Sequence, residues 1–175
     1  KLPLMISSAC PACVDYVRRY KPGYARFISP VPSPLGVHSA ILRESLGNDV
    51  KVVFFGPCAA KKNESDRDES GVDIALTFRD LDALLLRHGI NLDSVGEIPD
   101  SALALGPAAE GRFYSIEGGM NDTLRDGSGS ARYVSLSGID SLRRLLDGFN
   151  PDDIRDIDGD GSADPVHRIF VECLA

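Results

Sequence analysis

The chain has 175 residues, of which 43% are hydrophobic and 26% charged, and this composition is typical of one globular domain with a sizeable core. No run of about 18 apolar residues could cross a membrane, and the short start Lys1–Leu4 is no signal peptide, so we expect a cytoplasmic protein. The net charge of −7 argues against nucleic-acid binding, because phosphate recognition needs clustered Lys and Arg.

Short β-branched or aromatic runs alternate with amphipathic segments, and this alternation predicts βα units. The expected strands are Leu4–Ser7, Val50–Phe55, Asp73–Thr77, Arg132–Ser135 and Arg168–Glu172. The expected helices are Pro11–Tyr20, Leu35–Leu46, Phe78–His88, Met120–Arg125 and Ile139–Leu146. Segments rich in Pro or Gly are expected to be loops, namely Lys21–Pro34 and Gly127–Ser130. The predicted fold is a three-layer α/β domain, with a mainly parallel β-sheet flanked by helices.

Several helix ends carry their own signals. Gly47 and Gly89 are expected C-terminal glycines, and either Ser137 or Asp140 is expected to start the helix near residue 140. Pro11 suits a first helical position, since its missing N–H would have no partner there. This placement puts Cys10 near the N-cap of the helix.

Two cysteines each follow an expected strand. Cys10 comes after Leu4–Ser7, and Cys58 comes after Val50–Phe55. Because α/β folds bind ligands at the carboxyl ends of their strands, we expect both thiols near one another at that edge of the same sheet. Unpaired N–H groups at a helix start favour a thiolate at Cys10. A shared metal or cluster site and simple burial of both cysteines remain open from spacing alone.

Five ordered segments, which together span nearly the whole chain, resemble signature segments of the iron-only (FeFe) hydrogenases. They are Ser7–Pro11, Gly56–Arg67, Asp73–Leu81, Gly118–Arg125 and Phe170–Ala175. The resemblance is to the C-terminal catalytic domain of the large subunit in that family. It implies that residues 1–175 are a single α/β lobe of a two-lobed domain.

The same resemblance implies a set of site residues. Cys10 and Cys58 correspond to two of the four thiolate ligands of a 4Fe-4S cluster, which carries a diiron subcluster in the intact protein. Lys61 corresponds to a catalytic lysine that holds a cyanide of the diiron unit. The two other ligands are expected beyond Ala175, so this chain by itself is expected to fold without the complete cluster and to be inactive.

Departures from the family pattern resemble its sensory branch. Ala9 stands in place of a proton-relaying cysteine, Cys13 in place of a tryptophan, Gly56 in place of a methionine and Leu35 in place of a glutamine. The implied function of the intact protein is hydrogen sensing or slow proton/hydrogen redox chemistry. Its implied partners are molecular hydrogen, the remainder of the hydrogenase domain, ferredoxin-like electron donor domains and a signalling domain.

Two other functions stay open. One is a non-catalytic iron-sulfur-binding or cluster-assembly module, and the other is a partner-binding domain with vestigial cysteines. Cys13 forms a C-x-x-C pair with Cys10, but a single pair is a weak redox or zinc signal. Cys173 alternates with Val171 on an expected strand, which favours core packing.

An acidic segment at 156–164 has the spacing of a calcium loop. Its oxygen ligands occupy positions 1, 3, 5 and 9, which are Asp156, Asp158, Asp160 and Asp164, and Ser162 would add its backbone carbonyl. Gly161 fills position 6, whereas position 12 is His167, which cannot supply the bidentate carboxylate of an EF-hand. We expect Ca²⁺ to pin this insertion, and a solvated acidic turn is the alternative.

Overall fold

The computed structural model describes residues 4–67, 70–97, 99, 101, 105–106, 108–124, 131–150 and 168–174. The chain divides into two compact units. The first unit comprises Lys1–Val31 and Ala109–Ala175, and the second comprises Pro32–Ala108. Within the described residues, no helix is long and apolar enough to cross a membrane.

The described residues form five strands and six α-helices. The strands are β1 (Leu4–Ile6), β2 (Val53–Phe55), β3 (Ile74–Leu76), β4 (Ala131–Ser137) and β5 (Arg168–Leu174). The helices are α1 (Pro11–Tyr20), α2 (Pro34–Leu46), α3 (Ala60–Ser65), α4 (Phe78–Arg87), α5 (Gly119–Leu124) and α6 (Ile139–Asp147). Short 3-10 segments cover Pro22–Phe27, Leu92–Ser94 and Glu110–Ser115.

The first unit contains a parallel sheet of three strands in the order β1-β5-β4. The side chains of β1 alternate between buried and exposed, as in a strand with one buried face: Leu4 and Ile6 are buried and Met5 is exposed. On β5, Val171 lies opposite Ile6 and is equally buried. The apolar face of this sheet therefore builds the core of the first unit.

Helices α1 and α6 pack into that core. Leu142 and Leu146, four residues apart on α6, are fully buried together with Val17 of α1. The hydroxyl of Tyr24 donates to the carbonyl of Leu146 at 2.8 Å and also to that of Phe149. Burial raises the pKa of the Tyr24 hydroxyl. These contacts tie the turn after α1 to the end of α6.

The second unit contains a parallel pair of strands, β2 and β3, in which Phe54 lies opposite Ala75. Its helices are α2, α3 and α4. Val52, Val72 and Ala75 are buried. The capping box of Thr77 and Asp80 starts α4, because the Thr77 side chain accepts from the Asp80 N–H while the Asp80 carboxylate accepts from that of Thr77.

The α/β class with parallel sheets flanked by helices is confirmed. Helix α1 has the predicted bounds, and every other predicted element lies within three residues of its observed bounds. Gly47 and Gly89 follow α2 and α4 with positive φ, as expected. Whether the whole chain forms one lobe stays a prediction. The calcium loop predicted at 156–164 and the loop predicted at Gly127–Ser130 lie outside the described residues.

Two predictions about the elements were wrong, and one helix was missed. The expected loop Lys21–Pro34 contains the 3-10 segment Pro22–Phe27, and its last proline already belongs to α2. Helix α6 follows Gly138, so neither expected residue is its N-cap. Helix α3 was not predicted, because its six residues carry no apolar periodicity.

The prediction that Cys10 and Cys58 lie at the edge of the same sheet was also wrong. The strand before Cys10 pairs with β5, whereas the strand before Cys58 pairs with β3 in a separate sheet. Strand pairing across more than 150 residues depends on tertiary contacts, which the local pattern of each strand does not specify.

Candidate functional site

Cys10 lies where the first sheet passes into a helix. After β1 the N–H of Ser7 still donates to the Val171 carbonyl at 2.8 Å, and the chain then turns at Ser8 and Ala9. Cys10 is the N-cap of α1, and its carbonyl accepts from the N–H of Val14 at 3.1 Å. Cys10 is 7% exposed to solvent. The prediction that this thiol sits at a helix N-terminus is confirmed.

Cys58 occupies the corresponding place in the second unit. The N–H of Gly56 extends the β2–β3 pairing by donating to the Leu76 carbonyl at 3.0 Å. A Cβ at Gly56 would lie 2.5 Å from the ring of Phe54, so only glycine fits here without a shift. The carbonyl of Cys58 accepts from the N–H of Lys61 at 3.2 Å as α3 begins. Cys58 is partly exposed, whereas Cys10 is buried.

Each thiol therefore ends a loop that leads from a parallel strand directly into a helix. Cys10, Cys13 and Cys58 are all thiols rather than halves of disulfides. Thiolates are the common ligands of iron-sulfur clusters, so the donor chemistry fits such a group. Nowhere in the described residues do three or more His, Cys, Asp or Glu side chains form a group that could hold a metal ion. The thiols of the described residues fit the group in kind, but they do not supply a complete set of ligands.

The other candidate ligands lie in different parts of the chain. Cys13 is 1% exposed and belongs to the same hydrophobic core cluster as Val17. Cys173 lies on β5 opposite Leu136. The predicted calcium ligands lie outside the described residues.

Lys61 belongs to a partly buried polar cluster, which we call the Lys61 cluster and define as Ser33, Lys61 and Glu64. The Lys61 Nζ atom lies 2.6 Å from Glu64 Oε2 and 3.4 Å from Ser33 Oγ. The other carboxylate oxygen of Glu64 accepts from the Ser33 hydroxyl. The Lys61 and Glu64 side chains are 13% and 12% exposed. The cluster thus holds an ammonium group three residues after Cys58.

Lys61 was predicted as a site residue from the family signature, whereas Ser33 and Glu64 were not. Glu64 lies three residues further along α3, which is the spacing that brings two helical side chains together. Ser33 precedes Pro34, a pair typical of a helix start, and its side chain caps α2 by accepting from the Gly36 N–H at 3.3 Å. These local signals could have identified Glu64 and the cap, but not the contact between Ser33 and Glu64.

A second polar cluster, also missed, is buried in the first unit. The Glu172 carboxylate on β5 accepts from the Asn121 N–H at 3.1 Å, and the Asn121 side chain donates to Ser135 Oγ at 3.1 Å. Glu172 and Asn121 are both almost fully buried. Next to Asn121, the sulfur of Met120 lies 3.3 Å from Ser7 Oγ, in the loop before Cys10.

These features define a class of α/β protein in which cysteine-bearing loops connect parallel strands to the helices that follow them. A family model described as "Iron only hydrogenase large subunit, C-terminal domain" matches residues 1–150. The chain belongs to this family, and the resemblance drawn from its signature segments is confirmed.

Two curated relatives are named "Cytosolic Fe-S cluster assembly factor NAR1". The protein of Encephalitozoon cuniculi is 31% identical over 123 residues, which are 65% of this chain and 33% of that protein. The protein of Eremothecium gossypii is 33% identical over 92 residues, which are 51% of this chain and 20% of that protein. The chain thus spans about a third or less of the length of these relatives.

Solved structures of the FeFe-hydrogenase HydA1 from Chlamydomonas reinhardtii share the fold. One variant superimposes with a TM-score of 0.64 over 99% of this chain and 59% of that chain, at 16% identity. Another gives a TM-score of 0.52 over 62% of this chain and 30% of that chain, at 24% identity. The arrangement of parallel sheets and helices is therefore that of a hydrogenase-like domain.

Proposed function

We propose that this chain is the thiolate-bearing part of an iron-sulfur domain of the hydrogenase type. In this proposal Cys10 and Cys58 each donate one thiolate to a 4Fe-4S cluster, and the remainder of the domain supplies the other ligands. The observation that carries the proposal is the repeated arrangement of parallel strand, thiol and helix start in both units. Helix N-termini stabilise anions, and a thiolate-bound cluster is anionic.

For the intact protein we propose hydrogen sensing or slow proton/hydrogen redox chemistry, with a diiron subcluster attached to the cubane. Lys61 supports this function, because it stands where the family has the lysine that holds a cyanide. Ala9 supports low turnover, because its methyl side chain cannot relay protons beside Cys10. Ferredoxin-like electron donor domains and a signalling domain would be its partners.

A non-catalytic role in iron-sulfur cluster assembly is the second candidate. It is supported by the names of the two curated relatives and by their identity of more than 30% to this chain. The word "Cytosolic" in those names also supports a cytoplasmic location for this protein. The two candidates share the cubane and differ in the diiron unit.

Anaerobic reconstitution with iron and sulfide, followed by iron analysis and electron paramagnetic resonance, tests the shared part. The chain alone should not hold a stable cubane, whereas the intact protein should take up one 4Fe-4S cluster. Cys10→Ser and Cys58→Ser should abolish that uptake, and Cys13→Ser is the matched control that should retain it. A stoichiometric cubane in both ligand variants would overturn the proposed ligand set.

Infrared spectroscopy separates the two candidates. After the intact protein is treated with a synthetic diiron complex, bands of iron-bound carbonyl and cyanide would support the hydrogenase-type function. A stable cubane without those bands would overturn that function in favour of the assembly role. If the bands are present, the rate of hydrogen uptake by the loaded protein measures how slow its proton/hydrogen conversion is.

A further inference from the structure

The Lys61 cluster differs from the other lysine-carboxylate pair beside it on α3. Lys62 pairs with Asp80 at the same distance of 2.6 Å, but those side chains are 45% and 37% exposed. Lys61 and Glu64 are about a third as exposed. Removing an ion pair from water costs free energy unless geometry and further hydrogen bonds compensate for the lost solvation. The ion pair of Lys61 and Glu64 therefore needs further hydrogen bonds, and Ser33, the third residue of the cluster, provides them.

Ser33 provides that support with its single hydroxyl group. The hydroxyl donates to Glu64 Oε1, and its oxygen accepts from the Gly36 N–H and faces the Lys61 ammonium. One donor and two acceptor positions are all that a serine hydroxyl has. The N-cap of α2 is thus tied to the Glu64 carboxylate, and through it to Lys61.

We propose that Glu64 and Ser33 are positioning residues, which hold the Lys61 ammonium in one orientation toward a small anionic ligand beside Cys58. This inference rests on the proposed function, in which that ligand is a cyanide of the diiron unit. A lysine side chain has four rotatable bonds and loses considerable entropy when it is fixed. Because Glu64 and Ser33 fix it during folding, that entropy is no longer lost when the ligand binds.

Nuclear magnetic resonance of the lysine ammonium groups tests the positioning without any cofactor. In the full chain, Lys61 should give a slowly exchanging Nζ–H signal, and Lys61→Arg should remove this signal and so assign it. Glu64→Gln should abolish the signal while the backbone amide spectrum outside α3 stays unchanged. Glu64→Asp should restore part of it. If the signal persists in Glu64→Gln, or if Lys61 shows none in the wild type, the proposal is wrong.

Amine acylation gives a second measurement with a matched control. Both lysines are paired with a carboxylate, but Lys61 should react about tenfold more slowly than Lys62 in the wild type, because the Lys61 pair is shielded from solvent and the Lys62 pair is not. Glu64→Gln should remove most of this protection, and Ser33→Ala should remove part of it. Asp80→Asn is the control, since it takes the carboxylate from Lys62 and should leave the reactivity of Lys61 unchanged. Equal effects of Glu64→Gln and Asp80→Asn on Lys61 would contradict the proposal.

The loaded intact protein provides the final readout. Glu64→Gln should shift the cyanide bands in the infrared spectrum, and Asp80→Asn should leave them in place. Unshifted bands in Glu64→Gln would overturn the positioning role while leaving the proposed function intact. Failure of the wild type to take up a diiron unit would count against the hydrogenase-type function and against cyanide as the ligand. The ammonium signal, which is measured without a cofactor, would still show whether Glu64 holds Lys61.

Discussion

Arg43 and Asp73 form the ion pair that joins helix α2 to the strands of the second unit, with 2.8 Å between Arg43 Nη2 and Asp73 Oδ2. The same guanidinium donates to the carbonyls of Gly71, Asn48 and Val50 at 3.0 to 3.1 Å. One side chain therefore satisfies backbone acceptors on both sides of β2. Arginine suits this position because its planar group carries five donors.

Arg43→Ala should lower the free energy of unfolding by about 2 kcal/mol, because the part-buried Val50 carbonyl loses its donor and the Gly71 carbonyl keeps only the hydroxyl of Ser39. Arg43→Lys should recover only a small part of this loss, since the three donors of an ammonium radiate from one nitrogen and cannot span the acceptors that Nε, Nη1 and Nη2 of the guanidinium reach. Urea denaturation followed by circular dichroism measures both variants. The exposed Arg87 on α4 offers a control, and a loss in Arg87→Ala as large as that in Arg43→Ala would contradict the explanation.

Acid should destabilise the protein through Asp73. The N–H of Val52 and the ammonium of Lys51, together with Arg43, lower the pKa of Asp73 from 3.8 to about 2. Because the folded value is the lower one, the stabilisation is fully present above pH 4 and is lost as the pH falls toward 2. The difference in stability between wild type and Asp73→Asn should therefore shrink over this range. A difference that is independent of pH would argue against the role of the carboxylate.

Gly71 should tolerate alanine less well than Gly89, although both have φ near +64°. A Cβ at Gly89 would meet nothing within 4 Å, whereas one at Gly71 would lie 3.0 Å from Oγ of the buried Ser39. We expect Gly89→Ala to cost about 1 kcal/mol through its backbone conformation. Gly71→Ala should cost about 1 kcal/mol more through crowding. Thermal unfolding of the two variants compares them, and equal losses would show that Ser39 moves aside.

Glu172→Ala should lower stability by about 1 to 3 kcal/mol, since the buried N–H of Asn121 would lose its acceptor. Glu172→Gln keeps an acceptor oxygen at the same place and should cost less. Urea denaturation of both variants gives the comparison. If the glutamine variant were the less stable of the two, the hydrogen bond to Asn121 would not be the reason for this buried side chain.

Calcium should bind the acidic segment at 156–164, because its carboxylates need a counter-charge and their spacing suits a hard cation. Calorimetric titration of the chelator-treated chain should show one site. A double variant, Asp158→Asn with Asp160→Asn, should lose the heat of binding. Absence of calcium-dependent heat in the wild type would favour the solvated acidic turn.

The sequence by itself determined most of the local elements and the family. Helix α1 could be predicted to the residue, because Pro11 marks its start and its apolar residues recur with helical spacing. The five signature segments identified Cys10, Cys58 and Lys61 as candidates, since such motifs are short and contiguous. Gly47 and Gly89 could likewise be predicted as helix ends, because positive φ favours glycine.

Only the tertiary structure decided which strands pair and which side chains support Lys61. Strand β1 pairs with β5 and β2 with β3, although all four strands show similar short apolar runs. Ser33 and Glu64 meet across 31 residues, and Asn121 meets Glu172 across 51. Such contacts arise because buried polar groups must find partners when separate elements pack, and the local pattern of each element does not encode its partner.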